Sequence, residues 1–493
     1  MIAINDVISL QTDAEKKLFI EDLDKRNKRT DTKNILLYRA YLKGEELKIK
    51  EQIGVNAFNA LKKRLTDHLI EFTSERLLSK DHSTENEITK LIVLSRKLFY
   101  RSYSKTAFTL LFKAEKFAID IDHFSLLNEI YHLMIEHSHL TDKIEQAELF
   151  SKLEKNNKQF LAEEKMSILY ASMKKQFISA RHGDLPKSLK SLYEHGLKQF
   201  DIDHSYFMNF KSLNQLCSLT DLFGSQTKNY HQLDLFFEDS IKELKGTKKD
   251  NAQSVYYQIE LYYGLANIYF RKKNLEQSLS YLMQMEQQML RLDQKYFSHW
   301  QARFCNLRAL NLNFEGQSEA AENLLSSVLN QKDFNEKEEA LLKLTLAMVC
   351  FQKGELELVK TLINTMNRTD QWYLSKMGNE WLFNLKAIEI LLHIDLGNDQ
   401  LAESRLLSFQ RKLPKAIKAD KGNPLWPFIK LVKSILFNNS VVRTEEFLEK
   451  VERTIPWKGK NEDIFNICFY GWLKAKMINR PVYPTTLEIM KSL

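Results

Sequence analysis

From about residue 85 onward, one pattern of large and small residues recurs along the chain, and it limits the fold more than any other feature. Its clearest copy consists of a helical stripe, a polar turn and a second helical stripe, formed by Leu265, Ala266, Tyr269, Lys273, Asn274, Ser278, Leu282 and Met285. Residues three or four positions apart share one face of a helix, so each stripe predicts a helix with one packing face. Small residues let the two helices approach closely, and large ones fill the groove between them. The pattern therefore predicts a series of helical hairpins.

The same frame returns at intervals of about 42 residues. In successive repeats, the residue at the start of the second helix is predicted to be Ala107, Ala147, Ser188, Leu233, Ser278, Ala321, Val359, Ala402 and Thr444. Four glycines, Gly183, Gly316, Gly354 and Gly397, fall at the turn after the first helix, where a left-handed residue commonly ends a helix. The tetrapeptide Asp-Ile-Asp-His, at residues 120–123 and again at 201–204, marks the same junction between two repeats. The register predicts about nine hairpins, each burying its surface against its neighbours.

The residue composition supports helices joined by short loops. The 493 residues include only 14 glycines and 7 prolines, whereas a sheet-rich fold of this size needs many turns built from these two residues. Hydrophobic residues make up 44% and charged residues 28%, as is normal for a folded chain. An all-α fold is predicted.

The spacing of large and small residues resembles that of the tetratricopeptide-repeat superfamily over residues 85–455. The classical repeat is shorter, its tryptophan near the start of the first helix is mostly missing, and its late proline occurs only at Pro456. The resemblance implies a right-handed superhelical solenoid of about nine tetratricopeptide-like hairpins with a helical N-terminal cap. The domains expected are the cap at residues 1–80, the solenoid at 81–455 and C-terminal capping helices at 456–493.

The resemblance also indicates a binding surface. First helices of such hairpins tend to line the concave side, which suits a partner's helix or an extended segment. If the groove positions of the family carry over, they fall at Tyr263, Asn267, Phe270, Arg271, Asn306, Leu310 and Asn313. Asparagines there resemble those with which some members bind a peptide backbone or a terminal carboxylate. The implied function is a non-enzymatic scaffold or adaptor that binds a peptide or protein segment.

Residues 1–80 do not follow the repeat and predict separate helices. Thr12 to Glu15 form a capping box, which places a helix start at Thr12. Helices are expected over residues 34–42 and 45–53, with a turn at Gly54. A long helix follows from Asn56, with one apolar face formed by Phe58, Leu61, Leu65, Leu69 and Phe72.

This helix–turn–helix outline raises an alternative function, a transcriptional regulator with an N-terminal DNA-binding element and a tetratricopeptide-like sensor. Two features argue against it. Lys50 occupies the place where a small residue normally lets the two helices touch, and Lys62, Lys63 and Arg64 are consecutive and do not share one side of the helix. A helical cap that closes the open end of the array is the favoured interpretation.

No sequence motif indicates catalysis, a metal site or a cofactor. The chain has no phosphate-binding glycine loop, no dinucleotide fingerprint, no zinc-protease motif and no nucleophile elbow. His132, His137 and His139 are spaced so that they point in different directions. The four cysteines lie far apart, as expected of buried thiols in a reducing compartment. The chain is therefore predicted not to be an enzyme and to need no cofactor.

Charge and hydropathy narrow the partners and the compartment. The net charge is +8, and basic residues outnumber acidic ones most strongly in residues 411–493. A protein or peptide is the expected partner, with nucleic acid a lesser candidate through the N-terminal segment or the basic C-terminal end. No apolar run is long enough for a membrane span, and the first residues lack a signal-peptide layout. A cytoplasmic protein without membrane contact is expected.

Overall fold

The computed structural model describes residues 4–26, 32–80, 83–141, 145–179, 189–202, 210–227, 252–331, 334–412, 425–437, 439–454 and 464–492. Within these ranges the chain forms 24 helices and no strand, which confirms the all-α prediction. The chain divides into two compact units, Met1–Leu153 and Glu154–Leu493. None of the helices in the described ranges is both long and apolar enough to cross a lipid bilayer.

The first unit begins with five helices: α1 (Ile4–Ile8), α2 (Asp13–Arg26), α3 (Lys33–Lys43), α4 (Glu46–Ile53) and α5 (Val55–Lys80). The predicted capping box is confirmed, because the Thr12 amide donates to Glu15 Oε2 at 2.8 Å and the Glu15 amide donates to Thr12 Oγ1 at 3.3 Å. The predicted apolar face of α5 is buried along its whole length, at Phe58, Leu61, Leu65, Leu69 and Phe72. This face packs with Phe19 and Tyr38 into one core.

Three further helices follow in the first unit: α6 (Thr84–Tyr100), α7 (Ser104–Asp120) and α8 (Phe124–Glu136). Helices α6 and α7 pack closely where the repeat pattern places small residues. Ser95 Oγ lies 3.3 Å from the carbonyl oxygen of Ala107, and both residues are fully buried. A small side chain is needed at each position because the two backbones are so near.

The helices that follow are α9 (Gln146–Ser179), α10 (Leu189–Gln199), α11 (Phe210–Thr227), α12 (Ala252–Arg271), α13 (Leu275–Met289), α14 (Phe297–Phe314), α15 (Ser318–Leu329), α16 (Glu336–Lys353), α17 (Leu356–Thr365), α18 (Asp370–Met377), α19 (Asn379–Asp395), α20 (Asp399–Lys412), α21 (Leu425–Phe437), α22 (Glu445–Thr454), α23 (Ile464–Ile478) and α24 (Val482–Lys491). We call α12, α14, α16 and α19 the first helices, and α13, α15, α17 and α20 the second helices. Each first helix packs on its second helix and also on the next first helix.

The repeat frame matches the packing of these hairpins. Its small positions are fully buried at Ala266, Ser278, Ala309, Ala321, Ala347, Val359 and Ala402. Ser278 Oγ donates to the Ala266 carbonyl oxygen at 2.8 Å, which joins α12 to α13. Three predicted turn glycines are left-handed, with φ of 93° at Gly316, 84° at Gly354 and 71° at Gly397. The predicted positions Gly183, Ser188, His204, Leu233 and Pro456 lie outside the described residues.

Helices α23 and α24 lie against the first helices of much earlier hairpins. Trp472 Nε1 donates to the Asp395 carboxylate of α19 at 3.0 Å, and the Tyr483 hydroxyl donates to the Asn313 carbonyl oxygen of α14 at 2.7 Å. The two helices also pack closely on each other at Gly471, where a Cβ atom would lie 2.3 Å from Thr486 Oγ1. The chain's own C-terminal helices therefore cover part of the first-helix surface.

Candidate functional site

An aromatic surface lies on α12 and the beginning of α14, and we call it the aromatic strip. It consists of Tyr256, Tyr263, Tyr296, His299, Trp300 and Arg303. Tyr256 and Tyr263 are seven residues apart and so share a face of α12, while Tyr296, Trp300 and Arg303 follow the same rule on α14. His299 and Arg303 are exposed, and the three tyrosines are half-buried.

Ring contacts join the two helices along the aromatic strip. The Tyr256 ring centre lies 5.4 Å from that of Tyr296 and 6.0 Å from that of Trp300, and the Tyr263 ring centre lies 5.7 Å from that of Trp300. The guanidinium carbon of Arg303 lies 5.1 Å from the Trp300 ring centre, at cation–π distance. The rings are thus held in place by each other. Trp300 is fully buried, at 1% exposure, while the three half-buried tyrosines keep part of their surface accessible.

Three polar groups lie in or beside the rings. Burial raises the pKa of the Glu260 carboxyl on α12, and the positive charges of Arg303 and Lys174 oppose that shift. Burial likewise raises the pKa of the Tyr263 hydroxyl. The indole Nε1 of Trp300 is buried and has no hydrogen-bond partner among the described residues. The strip therefore combines apolar rings with partly desolvated polar atoms.

The segment that connects α13 to α14, just before the strip residues of α14, forms an unusual turn. Leu292, Asp293 and Gln294 all have left-handed backbone conformations, with φ of 52°, 52° and 61°. Residues with a side chain seldom adopt this conformation, because Cβ approaches the following carbonyl oxygen. Such strain is found most often at functional sites, where the surrounding structure maintains it. Here the left-handed segment ends two residues before Tyr296, the first aromatic residue of the strip on the α14 side.

Three of the residues predicted from the resemblance lie beside the strip on α12. Tyr263 is part of it, and Asn267 and Arg271 both approach Asp221 of α11. The Asn267 Nδ2 donates to Asp221 Oδ1 at 3.1 Å, and Arg271 Nε lies 3.8 Å from the same oxygen. All three predicted residues are half-buried. They form a polar extension of the aromatic strip.

The other four predicted residues are buried within the chain. Phe270 is fully buried against Phe314, with ring centres 5.9 Å apart, and Leu310 is 3% exposed. Asn306 Oδ1 accepts a hydrogen bond of 2.6 Å from Thr345 Oγ1. Asn313 Nδ2 donates to Gln352 Oε1 at 2.9 Å. The predicted surface thus occupies two environments, and a binding role for its residues stays a prediction.

The resemblance did not supply five members of the aromatic strip: Tyr256, Tyr296, His299, Trp300 and Arg303. The signal that could have indicated them is the spacing of aromatic residues on the face shared with Tyr263. They lie about one to three turns before the first family position on their helices, so the family frame does not reach them.

One cluster has the residue types of a metal site. Donor atoms of Glu322, Cys350 and Glu355 lie within 4.8 Å of one another. The Lys353 ammonium contacts both Glu322 and Glu355, the latter at 2.6 Å, and so offsets one of their two negative charges. Burial raises the pKa of the Cys350 thiol to about 12, which disfavours the thiolate that a metal needs. The cluster is an ion-pair network around Lys353.

The N-terminal helices show where the residues of the helix–turn–helix outline lie. Helix α4 has no buried residue, and Lys50 is half-buried on it. On α5, Lys63 and Arg64 are exposed while Lys62 is half-buried, as expected for consecutive residues that point in different directions. DNA binding by this segment stays a prediction.

Comparison with known proteins gives no family to which the chain can be assigned. No protein-family model matches the sequence, and no curated protein matches it either.

Proposed function

We propose that the chain is a non-enzymatic interaction scaffold or adaptor that binds a peptide or protein segment along the aromatic strip. The observation that carries the proposal is the composition and exposure of this strip. Tyrosine, tryptophan and arginine are the residue types that most often dominate binding energy at protein interfaces. Here they are grouped and held in fixed positions by ring contacts, with Arg303 exposed and the tyrosines half-buried around the fully buried Trp300.

The proposal includes a tetratricopeptide-like solenoid of about nine hairpins as the supporting architecture. Two packing relations support it: each first helix contacts its own second helix, and it also contacts the first helix of the next hairpin. An array of this kind presents its first helices side by side, so a ligand can contact several hairpins at once. The aromatic strip spans two such helices, α12 and α14.

The polar neighbours of the strip suit a peptide ligand. Asn267 and Arg271 supply an amide and a guanidinium about one and two helical turns beyond Tyr263, and Asp221 of α11 supplies an acceptor beside them. A peptide lying across the rings reaches this group with its backbone or a charged side chain, because hydrogen-bonding groups beside an apolar core are typical of protein interfaces. Whether the ligand is helical or extended is open in this proposal.

Site-specific photo-crosslinking in the native host tests the proposal. A benzoylphenylalanine residue replaces His299, which is exposed on the strip, or Met283, which is 59% exposed on α13 and serves as the control position. We expect a discrete crosslinked protein from position 299 that is absent from position 283. Adding Arg303→Ala should weaken capture, with a binding loss of about 1–2 kcal/mol.

Two results contradict the proposal. One is the same set of adducts from both positions, which indicates non-specific contact. The other is an adduct at position 299 that persists unchanged with both Arg303→Ala and Tyr296→Ala. Circular dichroism melting of each variant separates loss of binding from loss of folding, since surface substitutions usually change stability by less than about 0.5 kcal/mol.

A further inference from the structure

A cavity of about 640 Å³ lies where the end of α16 meets the turn between α23 and α24. Its walls carry four cationic side chains and one acidic side chain, contributed by Lys353, Arg443, Lys476, Arg480 and Asp395. This volume falls within the range of roughly 300–1,000 Å³ that small-molecule sites occupy. The cavity does not include any residue of the aromatic strip.

The acidic side chain is already neutralised. Asp395 accepts hydrogen bonds from Lys476 Nζ at 2.7 Å and from Trp472 Nε1 at 3.0 Å. Arg443 differs from the other cations, because its hydrogen-bond partner is the neutral Asn479 Oδ1 at 3.0 Å. The charge of its guanidinium is therefore not balanced by that partner.

The two remaining cations pair with acids outside the cavity wall. Lys353 contacts Glu322 and Glu355, and Arg480 lies 3.4 Å from Glu488. None of these three acids lines the cavity. Among the described residues that line the cavity, four are thus cationic and one is acidic, while Glu322, Glu355 and Glu488 lie just outside the lining on Lys353 and Arg480.

A buried donor without a partner also belongs to this cavity. Gln352 lines it and is only 3% exposed. Its Oε1 accepts from Asn313, but its Nε2 has no hydrogen-bond partner in the described part of the chain. A buried unpaired donor costs about 1–3 kcal/mol, and a rotation of the Gln352 side chain toward the cavity would let a ligand oxygen accept from this donor.

Two helices begin at the same place. Helices α17 and α24, of ten residues each, start beside lining residues Gly354 and Val482. Neither N-cap residue, Glu355 or Pro481, makes a side-chain capping hydrogen bond within the described ranges. The Leu356 amide already donates to the Gly354 carbonyl oxygen and Pro484 has no N–H, so the remaining first-turn amides and the positive ends of the helix dipoles are what favour an anion here.

From the cavity, its cations, the unpaired Gln352 donor and the two helix starts, we propose that this cavity binds a small molecule carrying phosphate groups. Guanidinium groups match phosphate oxygens in bidentate geometry, and backbone amides add further donors. The proposal goes beyond the interaction function, because the aromatic strip takes no part in it. A variant that no longer binds at one of the two sites can still be tested for binding at the other.

Isothermal titration calorimetry on the full chain tests this, with inorganic pyrophosphate as the probe at constant ionic strength. Arg443→Gln removes the unbalanced charge, and Arg453→Gln is the matched control, because the Arg453 side chain is 80% exposed in a surface ion pair on α22. We expect saturable binding by the wild type and by Arg453→Gln. Arg443→Gln should raise Kd by about tenfold or more.

Three outcomes overturn the proposal. The first is no saturable heat with pyrophosphate up to roughly 10 mM. The second is an equal Kd for the wild type and Arg443→Gln, with both variants folded by circular dichroism. The third is equal affinity for malonate, a dianion without phosphate, which would show general anion attraction rather than a phosphate site.

Discussion

The aromatic strip and the surface that continues it along the first helices differ in what covers them. In the strip, His299 and Arg303 are exposed and the tyrosines are half-buried. In the continuation, which we call the covered segment, Leu310, Asn313, Gln352 and Asp395 lie beneath other parts of the chain, as buried or half-buried residues. Side chains of α23 and α24 contact Asn313 and Asp395 directly. One helical face is thus partly exposed at one end and covered by internal packing at the other.

The comparison shows that polar residues on a first helix do not by themselves mark a binding groove. The side-chain amides of Asn306 and Asn313 form hydrogen bonds with Thr345 and Gln352, which lie on the next first helix. Buried amides need such partners, because an unpaired buried polar group is costly. In the covered segment, these asparagines join neighbouring hairpins.

The largest expected effect is a difference in stability loss when one aromatic residue is substituted in each of the two regions. Trp472→Ala removes a fully buried side chain and one hydrogen bond to Asp395, so it should destabilise the protein by about 3–5 kcal/mol. Tyr296→Ala, on the half-buried strip, should cost less than about 1 kcal/mol. Urea unfolding followed by far-ultraviolet circular dichroism measures both. Equal losses would remove the distinction between the regions.

A smaller effect is expected for the two asparagines. Asn306→Ala leaves the buried Thr345 hydroxyl without its 2.6 Å partner, and should cost about 1–3 kcal/mol. Asn267→Ala affects a half-buried pair with Asp221, and should cost less than about 1 kcal/mol. The same urea titration gives both values. A larger loss for Asn267→Ala than for Asn306→Ala would reverse the assignment of the open and covered ends.

The smallest expected effect is a pH-dependent change in the free energy of unfolding that is caused by Glu260. Burial raises its folded-state pKa above the ordinary value of 4.5, so its contribution to stability is fully present below the unfolded-state pKa and is lost as pH rises through the folded-state pKa. Glu260→Gln should remove this loss and raise the urea midpoint at about pH 7, with little change at about pH 4. Because other groups titrate equally in both proteins, the difference between them isolates Glu260. A gain confined to pH 4 would contradict the raised pKa.

The local pattern was sufficient to predict the close contacts and turns within the hairpins from α12 to α20. The close contact of Ala266 with Ser278 and the left-handed turns at Gly316 and Gly354 follow from residue types a few positions apart. The capping box at Thr12 is equally local. In each case the physical cause, a steric limit or an unpaired backbone group, acts within one hairpin or one helix end.

The exposure of the first-helix face could not be predicted in the same way. Tyr483 reaches Asn313 from 170 residues away, and Cys468 lies 3.7 Å from Met348 across 120 residues. No local periodicity records such contacts. The family frame placed Asn306 and Asn313 on a groove, whereas their burial depends on long-range packing.

Hydroxyl-radical footprinting of the free protein tests the central claim most directly, that the strip is open while the covered segment is closed by the chain itself. Oxidation rates of Tyr296 and Trp472, each normalised to its rate in the urea-unfolded chain, are read by mass spectrometry. We expect roughly tenfold or greater protection of Trp472 relative to Tyr296. Equal normalised rates would show that α23 and α24 do not cover the first helices, and would contradict this claim.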